Sequence, residues 1–289
     1  MSISLGSTNF GSIYLGSTKI GEAYFGSVKV YGSTPPDPYN PLNLPPYTIR
    51  LKFTDGTTPT FSKGTATQVS SSPNVWDLNY QDADWSELLR NQSNLTEVLG
   101  ANATNVTSAS RMFQDCTALT SVPLFDTRAV TDISYMFYRN SSLASVPFFD
   151  TSAVTNMKWM CWNCTSITSL PLLDTSKALD MRYMICGCTS LTTVPLFDTS
   201  SAQYLMYMLW GCTALTAIPL FDTSSAINME YMCNGCTNVE SGALALYQQA
   251  SSQASVPGHT YTFYNCGSNT VSGAAELAQI PSSWGGMGS

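Results

Sequence analysis

Apolar and polar positions repeat every 24 residues along the central part of the chain. The segment MFQDCTALTSVPLFDTRAVTDISY, which begins at Met112, is followed by MFYRNSSLASVPFFDTSAVTNMKW and then by further copies in the same register. The first methionine of each copy lies at Met112, Met136, Met160, Met184, Met208 and Met232. A fixed period of this length predicts a repeat protein in which every unit packs on its neighbours.

Each repeat contains two apolar patterns. The spacing of apolar residues in 119–124 predicts a short strand, and the spacing in 154–161 predicts a short helix. Each helix is predicted to end at a residue that accepts a left-handed conformation, a pattern that Arg139 does not fit. That column reads Asn91, Asp115, Arg139, Asn163, Gly187, Gly211 and Gly235. The sequence therefore predicts an α/β solenoid, leucine-rich-repeat-like, with about six to seven rungs.

The segments that flank the repeats predict a β-rich N-terminal cap and an α+β C-terminal cap. Residues 47–53 and 74–80 have the alternation of strands, and Asp84 with Glu87 fits a capping box for a helix that begins at Trp85. Residues 243–249 predict a helix and residues 260–264 a strand. The predicted organisation is an N-terminal segment 1–32, a proline-rich linker 33–46, the N-terminal cap 47–84, the solenoid 85–240 and the C-terminal cap 241–289.

Residues 1–32 carry a second repeat of ten residues, with Gly-Ser turns between short β-type segments. A segment this short buries no core alone, so we expect a partner or copies of the same chain to order it. The alternative is a flexible Gly/Ser tail. The candidate anchoring residues are its periodic apolar ones: Leu5, Phe10, Tyr14, Leu15, Ile20, Tyr24, Phe25 and Val30.

The charge of the chain disfavours two classes of binding partner. Only 11% of the residues are charged and the net charge is −7, which argues against nucleic acid and against an anionic membrane surface. The sequence has no apolar run long enough for a transmembrane helix. The first residues lack the pattern of a secretion signal, and the cysteine count of nine is odd, so we expect cytosolic synthesis and free thiols.

Two polar columns could carry chemistry. The cysteine column consists of Cys116, Cys164, Cys188, Cys212 and Cys236, with Asn140 in the second repeat. The CxxC spacing of Cys161–Cys164 and Cys233–Cys236 raises the possibility of zinc, but buried structural thiols are the favoured interpretation. The aspartate column consists of Asp126, Asp150, Asp174, Asp198 and Asp222. We expect these carboxylates to cap local backbone donors, with a calcium site as the alternative. No metal and no cofactor is predicted.

An aromatic column has two open interpretations, packing within the fold and contact with a ligand such as a sugar. It consists of Tyr135, Trp159, Tyr183, Tyr207 and Tyr231. The same two interpretations apply to a second column, which consists of Phe125, Phe149, Leu173, Phe197 and Phe221. His259 is the only histidine and has no nucleophile motif around it, and no acid/base pair is recognisable, so we predict no enzymatic activity.

The unit C-T-x-L-T-x-V-P-x-F-D-T-S-x-V-T-x-M-x-x-M resembles the BspA-type leucine-rich repeats of bacterial and protist surface proteins over about residues 88–240. That resemblance implies a curved solenoid and a role in adhesion or protein binding. The LGSTKIG-type repeat of residues 1–32 resembles the start of structural proteins of tailed gut phages, including crAss-like phages. It implies an anchor to the capsid or tail.

The expected function is therefore that of a non-enzymatic phage virion surface protein, a head fibre or a tail-associated fibre made in the host cytoplasm. Residues 1–32 would bind a capsid or tail protein, and the repeats would bind a host-surface glycan, a host protein or mucus. A homo-oligomer, guessed to be a trimer, is expected. The alternative is a bacterial cell-surface adhesin of the BspA-like type.

Overall fold

The computed structural model describes residues 14–15, 18–19, 24–25, 28–29, 37 and 39–288. Near the N-terminus, β1 (Tyr14–Leu15) pairs with β2 (Thr18–Lys19), and β3 (Tyr24–Phe25) pairs with β4 (Val28–Lys29), both antiparallel. The two pairs follow the ten-residue sequence repeat. Four candidate anchoring residues lie in these strands. The other four, Leu5, Phe10, Ile20 and Val30, lie outside the described residues.

A four-stranded antiparallel sheet precedes the repeats. Its strands are β5 (Thr48–Phe53), β6 (Thr65–Ser71), β7 (Asn74–Asn79) and β8 (Leu95–Asn102), in the order β6-β7-β5-β8. The two predicted strands match β5 and β7. Alternation places one face of β5 in the core, and the opposite face carries an ion pair of 2.7 Å between Arg50 and Asp77.

The last strand of this sheet continues the hydrogen bonding into the repeats. The Thr120 amide donates to the Thr96 carbonyl at 2.9 Å, and the Val98 amide donates to the Ser121 carbonyl at 3.2 Å. A second line of isolated parallel bridges then joins positions that are mostly 24 residues apart, from Asp84 to Gly258. The sheet therefore covers the first repeat, and each repeat bonds to the next.

The prediction of an α/β, leucine-rich-repeat-like solenoid with about six to seven rungs is wrong. Regular secondary structure among the described residues is limited to the strands above, the helices α1 (Ala243–Ser251) and α2 (Val271–Leu277), and one 3-10 turn (Ser282–Trp284). Residues 103–242 contain turns and isolated bridges, with neither the predicted helices nor the predicted strands.

The predicted helices fail because alternate backbone amides bond to the next repeat. The amides of Met157, Trp159 and Cys161 donate to the carbonyls of Asp180, Arg182 and Met184 at 2.7–2.9 Å. Met160, which lies between them, bonds back only three residues, to the Met157 carbonyl. A helix needs every amide for its own i−4 carbonyl, so this pattern gives successive turns instead.

The predicted strands fail at the proline that follows their first apolar residues. The column contains Pro123, Pro147, Pro171, Pro195 and Pro219. Proline has no amide hydrogen, so an extended segment that contains it cannot continue a hydrogen-bonded ladder between repeats. Backbone bonding on this side is therefore reduced to single contacts, such as that from Thr216 to the Thr192 carbonyl at 3.2 Å.

Left-handed residues shape the turns. The seven-residue column predicted to accept this conformation does so, with φ between 56° and 75°, and Arg139 at 61° is no exception. The helix predicted from Trp85 is wrong, since Glu87 has φ of 62° and the segment consists of turns. In the C-terminal part, the helix predicted at 243–249 is confirmed as α1, whereas the strand predicted at 260–264 is a run of turns.

The core runs through the centre of the repeats. The first methionine of every repeat is fully buried, and the Phe125 column is buried to at least 98%. For that column the packing interpretation is therefore confirmed. Its ring pairs include Phe125 and Phe149, whose centroids lie 4.9 Å apart. Burial of these apolar columns supplies the main driving force for a fold that has little regular secondary structure.

Candidate interaction surface

The cysteine column lies inside the repeats and is hydrogen-bonded. Each Sγ donates to a backbone carbonyl 27 residues earlier, at 3.0–3.1 Å. In the second repeat Asn140 takes the place of the cysteine. Its Oδ1 accepts from the Cys116 amide at 2.9 Å, while its buried Nδ2 has no partner among the described residues. The thiols thus satisfy backbone acceptors, as expected of structural cysteines.

Burial also makes these thiols poor nucleophiles. All nine cysteines lie in the described part of the chain and are buried free thiols. Desolvation raises the pKa of Cys116, Cys186 and Cys236 from 9.0 to about 12. It also raises the pKa of Cys188 well above 9.0. Because the thiolate is the reactive form, we expect little chemistry from this column in the folded protein.

The aspartate column caps the turns that follow it. In Asp150, Asp174 and Asp198, the Oδ1 atom accepts from the amide and the hydroxyl of the serine two residues later, at 2.6–3.1 Å. These bonds are why the pKa values of Asp174 and Asp198 are lowered. Asp126 instead bonds Arg128 at 2.8 Å, which lowers the pKa of its carboxyl group. The expected capping role is present in the geometry.

A buried threonine column next to the aspartates was not singled out by sequence reasoning. In the first four members the hydroxyl donates to the carbonyl of the aspartate in the next repeat, at 2.7–2.9 Å. The column is Thr127, Thr151, Thr175, Thr199 and Thr223. Its invariable presence after each aspartate was the available signal. These hydroxyls bond one repeat to the next on a side where the prolines have removed amide donors.

The aromatic column forms a continuous stack on the surface. Neighbouring rings of its five members lie 3.9–5.8 Å apart with planes within 11° of parallel. At one end the Tyr261 ring lies 5.5 Å from Tyr231 and is tilted by 46°, and at the other the Arg111 guanidinium lies 4.7 Å from the Tyr135 ring. All five aromatic residues have φ between 56° and 60°, a conformation that bulky side chains rarely adopt.

This stacking limits what the aromatic column can offer to a ligand. The ring faces contact one another, so the solvent-facing parts are edges and hydroxyl groups. A sugar ring stacks on an aromatic face, and within this column the faces are already used by neighbouring rings. Two further aromatic residues outside the column, Trp210 and Tyr264, are each more than 40% exposed.

An exposed apolar row is a surface feature that the sequence analysis included only as part of the predicted strands. Its side chains are 52–66% exposed and lie in successive repeats: Phe148, Leu172, Leu196 and Leu220. We call this set the apolar row. The signal for it was the paired apolar residues in each P-x-F/L-D segment. Neighbours in an extended segment point in opposite directions, so burial of Phe197 leaves Leu196 outside.

Two neighbouring members of the apolar row and two of the aspartate column line one groove. Leu196, Leu220, Asp198 and Asp222 are among the residues around a groove of about 300 Å³. Asp174, Asp198 and Asp222 are exposed. Among the described residues, Asp126 is the one member of the column in an ion pair. The surface is therefore apolar along its centre and negatively charged along one side.

We also searched the described residues for a metal site, a membrane-spanning helix and a reactive histidine. No group of three His, Cys, Asp or Glu residues there could hold a metal ion. Within the same ranges, none of the helices has the length and apolar character needed to cross a bilayer. The ring of His259 stacks on Trp284 with centroids 4.1 Å apart, and its Nδ1 lies 2.8 Å from the Pro257 carbonyl.

The fold and this surface define a repeat protein whose units are built from turns. Residues 60–170 and 140–245 match a family model described as "Mycoplasma protein of unknown function, DUF285". Because the match covers more than half of the 289 residues, the chain belongs to this family, which is found in BspA-like surface proteins. A comparison with curated proteins gives no match. The resemblance of residues 1–32 to phage proteins stays a prediction.

Proposed function

We propose that the chain is a non-enzymatic binding protein displayed on a surface, with the apolar row as its contact face. The observation that carries this proposal is the exposure of large apolar side chains in four successive repeats. Contiguous exposed apolar side chains are typical of interaction sites, whereas scattered ones are not. Membership of a family found in BspA-like surface proteins supports the same role.

A protein partner is favoured over a glycan. The aromatic column was the sequence-based candidate for sugar contact, but its rings use their faces on one another. The apolar row instead offers flexible aliphatic side chains, which suit another protein surface better than the hydroxyl groups of a sugar. The aromatic column remains a candidate for edge contacts through its tyrosine hydroxyls.

We further propose that residues 1–32 attach the protein to its carrier. The two short antiparallel pairs at 14–19 and 24–29 are too small to fold alone, which suits a segment ordered by a partner or by copies of itself. On a virion this carrier is a capsid or tail protein, and the protein is a head or tail-associated fibre. On a bacterial cell it is the envelope, and the protein is a BspA-like adhesin.

The contact face is tested with matched variants of the full chain. L172S/L196S changes the apolar row, and L179S/I227S changes two other exposed apolar residues in the same part of the chain. Binding of fluorescent protein to cells of candidate hosts is measured by flow cytometry. We expect the first variant to lose binding and the second to keep it. Equal binding by both variants would remove the apolar row from the proposal.

The carrier is tested by comparing the full chain with a chain that starts at Tyr47. Both are mixed with purified virions and with cell envelopes, and the bound fraction is sedimented. Retention on virions by the full chain alone supports the fibre. Retention on envelopes alone supports the adhesin. Equal behaviour of both chains would show that the N-terminal segment is no anchor.

A further inference from the structure

We propose that the apolar row and the aspartate column together bind a cationic amphipathic helix of a partner protein. This inference rests on the proposed function, because it takes the apolar row as the contact face. It adds the chemistry of the partner, a helix with an apolar stripe bordered by Lys or Arg. The argument uses the spacing of the row and the charges beside it.

The spacing of the row suits a helix lying along it. Parallel bridges elsewhere in the repeats set the spacing of adjacent units at that of neighbouring strands, about 4.8 Å. We therefore expect equivalent side chains of the row at about this spacing, and a row about 15 Å long. A helix presents one face every turn, at intervals of about 5.4 Å. An extended strand presents one face about every 6.8 Å, and its side chains lose register with the row within about three steps.

The aspartates offer unused acceptors beside the row. In Asp150, Asp174 and Asp198 the Oδ1 atom accepts both bonds from the following serine, and in Asp222 the serine amide also bonds to Oδ1. The Oδ2 atoms of these aspartates accept no hydrogen bond from the described residues. A carboxylate oxygen without a donor is complementary to an ammonium or guanidinium group.

The negative charges of the aspartate column disfavour two other ligands of the apolar row, a second copy of this chain and an anionic membrane. Two copies of this chain that met through their apolar rows would bring two aspartate columns, each with four members outside any ion pair among the described residues, close together, and like charges repel. An anionic membrane would be repelled as well. A cationic partner gains from both features, and the net charge of −7 would also speed its approach.

The test uses labelled peptides of about 18 residues with the full-length protein. The first peptide carries leucine at i, i+3, i+4 and i+7 with lysine elsewhere. The second has the same leucine stripe with glutamate in place of lysine. The third has the composition of the first in an order that forms no stripe. We expect only the first to bind in fluorescence anisotropy, and we expect its affinity to fall as salt is raised.

Protein variants separate the charge from the apolar contribution. D198N/D222N keeps the capping oxygen and removes both charges, and D82N/E240Q removes two exposed charges outside the column. We expect roughly a three- to tenfold loss of affinity for the first and less than about a twofold change for the second. L196S/L220S should weaken binding more than about tenfold.

Several outcomes would overturn the inference. Equal binding of the lysine and glutamate peptides would show that the aspartates play no part. An equal loss of peptide affinity in D198N/D222N and D82N/E240Q would show that only the net charge of the protein matters, and not the position of the aspartates. Binding to zwitterionic vesicles through the apolar row, with no peptide binding, would assign the row to lipid. If no peptide binds but L172S/L196S still loses cell binding, the partner class is wrong and the proposed function stands.

Discussion

The phenol rings of Tyr183 and Tyr207 stack with centroids 4.5 Å apart and planes 6° from parallel, although both residues have φ near 57°. The left-handed conformation costs a non-glycine residue about 1–2 kcal/mol, and the stack is one of the interactions that offset this cost. Each aromatic pair contributes about 0.5–1.5 kcal/mol beyond its buried area. The aromatic column is therefore a stabilising part of the fold as well as a surface.

Substitution of Tyr207 separates the stabilisation by ring stacking from the cost of the left-handed backbone. Y207A loses both stacks and keeps the strained conformation, whereas Y207G loses the stacks and relieves the strain. We expect Y207G to be at least as stable as Y207A, by about 0–1 kcal/mol, with both below the wild type. Urea unfolding followed by circular dichroism measures the order. A clearly more stable Y207A would show that the backbone relaxes out of the left-handed region.

The buried cysteines make stability depend on alkaline pH. Burial raises the pKa of eight of the nine thiols above the ordinary 9.0. Below pH 9.0 both the folded and the unfolded thiols are protonated, so stability does not change with pH through them. Above it the unfolded thiols release protons and the folded ones do not. The free energy of unfolding then falls by up to about 1.4 kcal/mol per pH unit for each thiol.

Urea midpoints at about pH 8 and about pH 10 measure this loss. C188A removes one of the thiols, so its slope should be smaller than that of the wild type. A disulfide reagent provides an independent check. It should react slowly with the folded protein and with all nine thiols after unfolding. Rapid labelling of several thiols in the folded protein would contradict the burial on which the prediction depends.

Asn140 is predicted to weaken the repeat that contains it. It is fully buried in the cysteine column, and its Nδ2 atom has no partner among the described residues. N140C restores the column residue, whose thiol would donate to the carbonyl of Phe113 as the other cysteines do to theirs. The substitution removes an unpaired buried donor and also the Oδ1 acceptor of the Cys116 amide, but that amide keeps the Phe113 carbonyl at 3.3 Å. We expect a net stabilisation of about 1 kcal/mol, measured as an increase in the urea midpoint. N140A, which leaves a cavity, should destabilise instead.

Thr175 is predicted to stabilise the contact between two repeats through its hydroxyl. The hydroxyl is buried and donates to the Asp198 carbonyl at 2.8 Å. T175V keeps the shape of the side chain and leaves that carbonyl without this donor, so we expect a loss of about 1–2 kcal/mol in urea unfolding. T189V at an exposed position is the matched control and should change stability by less than about 0.5 kcal/mol. Similar losses in both variants would contradict a specific role for the buried hydroxyl.

The 24-residue period of the sequence predicted which residues form columns, but not the backbone that joins them. The columns of Met160 and Cys164 are buried as their apolar character indicates. The predicted helix around them is absent because neighbouring repeats compete for the same amides, and no pattern within one repeat reports that competition. The left-handed column was predictable, since Asn163 and the glycines accept that conformation.

The candidate surface was predicted only in part. Asp198 was placed correctly as a capping residue, because an aspartate before Thr-Ser is a local signal. The exposure of Leu196 was not predicted, because the sequence placed it only in a short strand without assigning it to a face. Adjacent Leu196 and Phe197 cannot both face the core from an extended segment, and the sequence does not say which one does. The stacking of Tyr183 on its neighbours settles how its ring faces are used, which residue type alone leaves open.

Hydrogen bonds such as that from the Thr131 amide to the Thr107 carbonyl connect a repeat only with the repeats on either side of it. A gene that gains or loses one whole unit therefore leaves every remaining bond with an equivalent partner. Loss or gain of one 24-residue unit would change the length of the apolar row by one side chain and of the aspartate column by one charge. Copy number thus offers a heritable way to adjust how strongly the protein holds its target, without any change to the core.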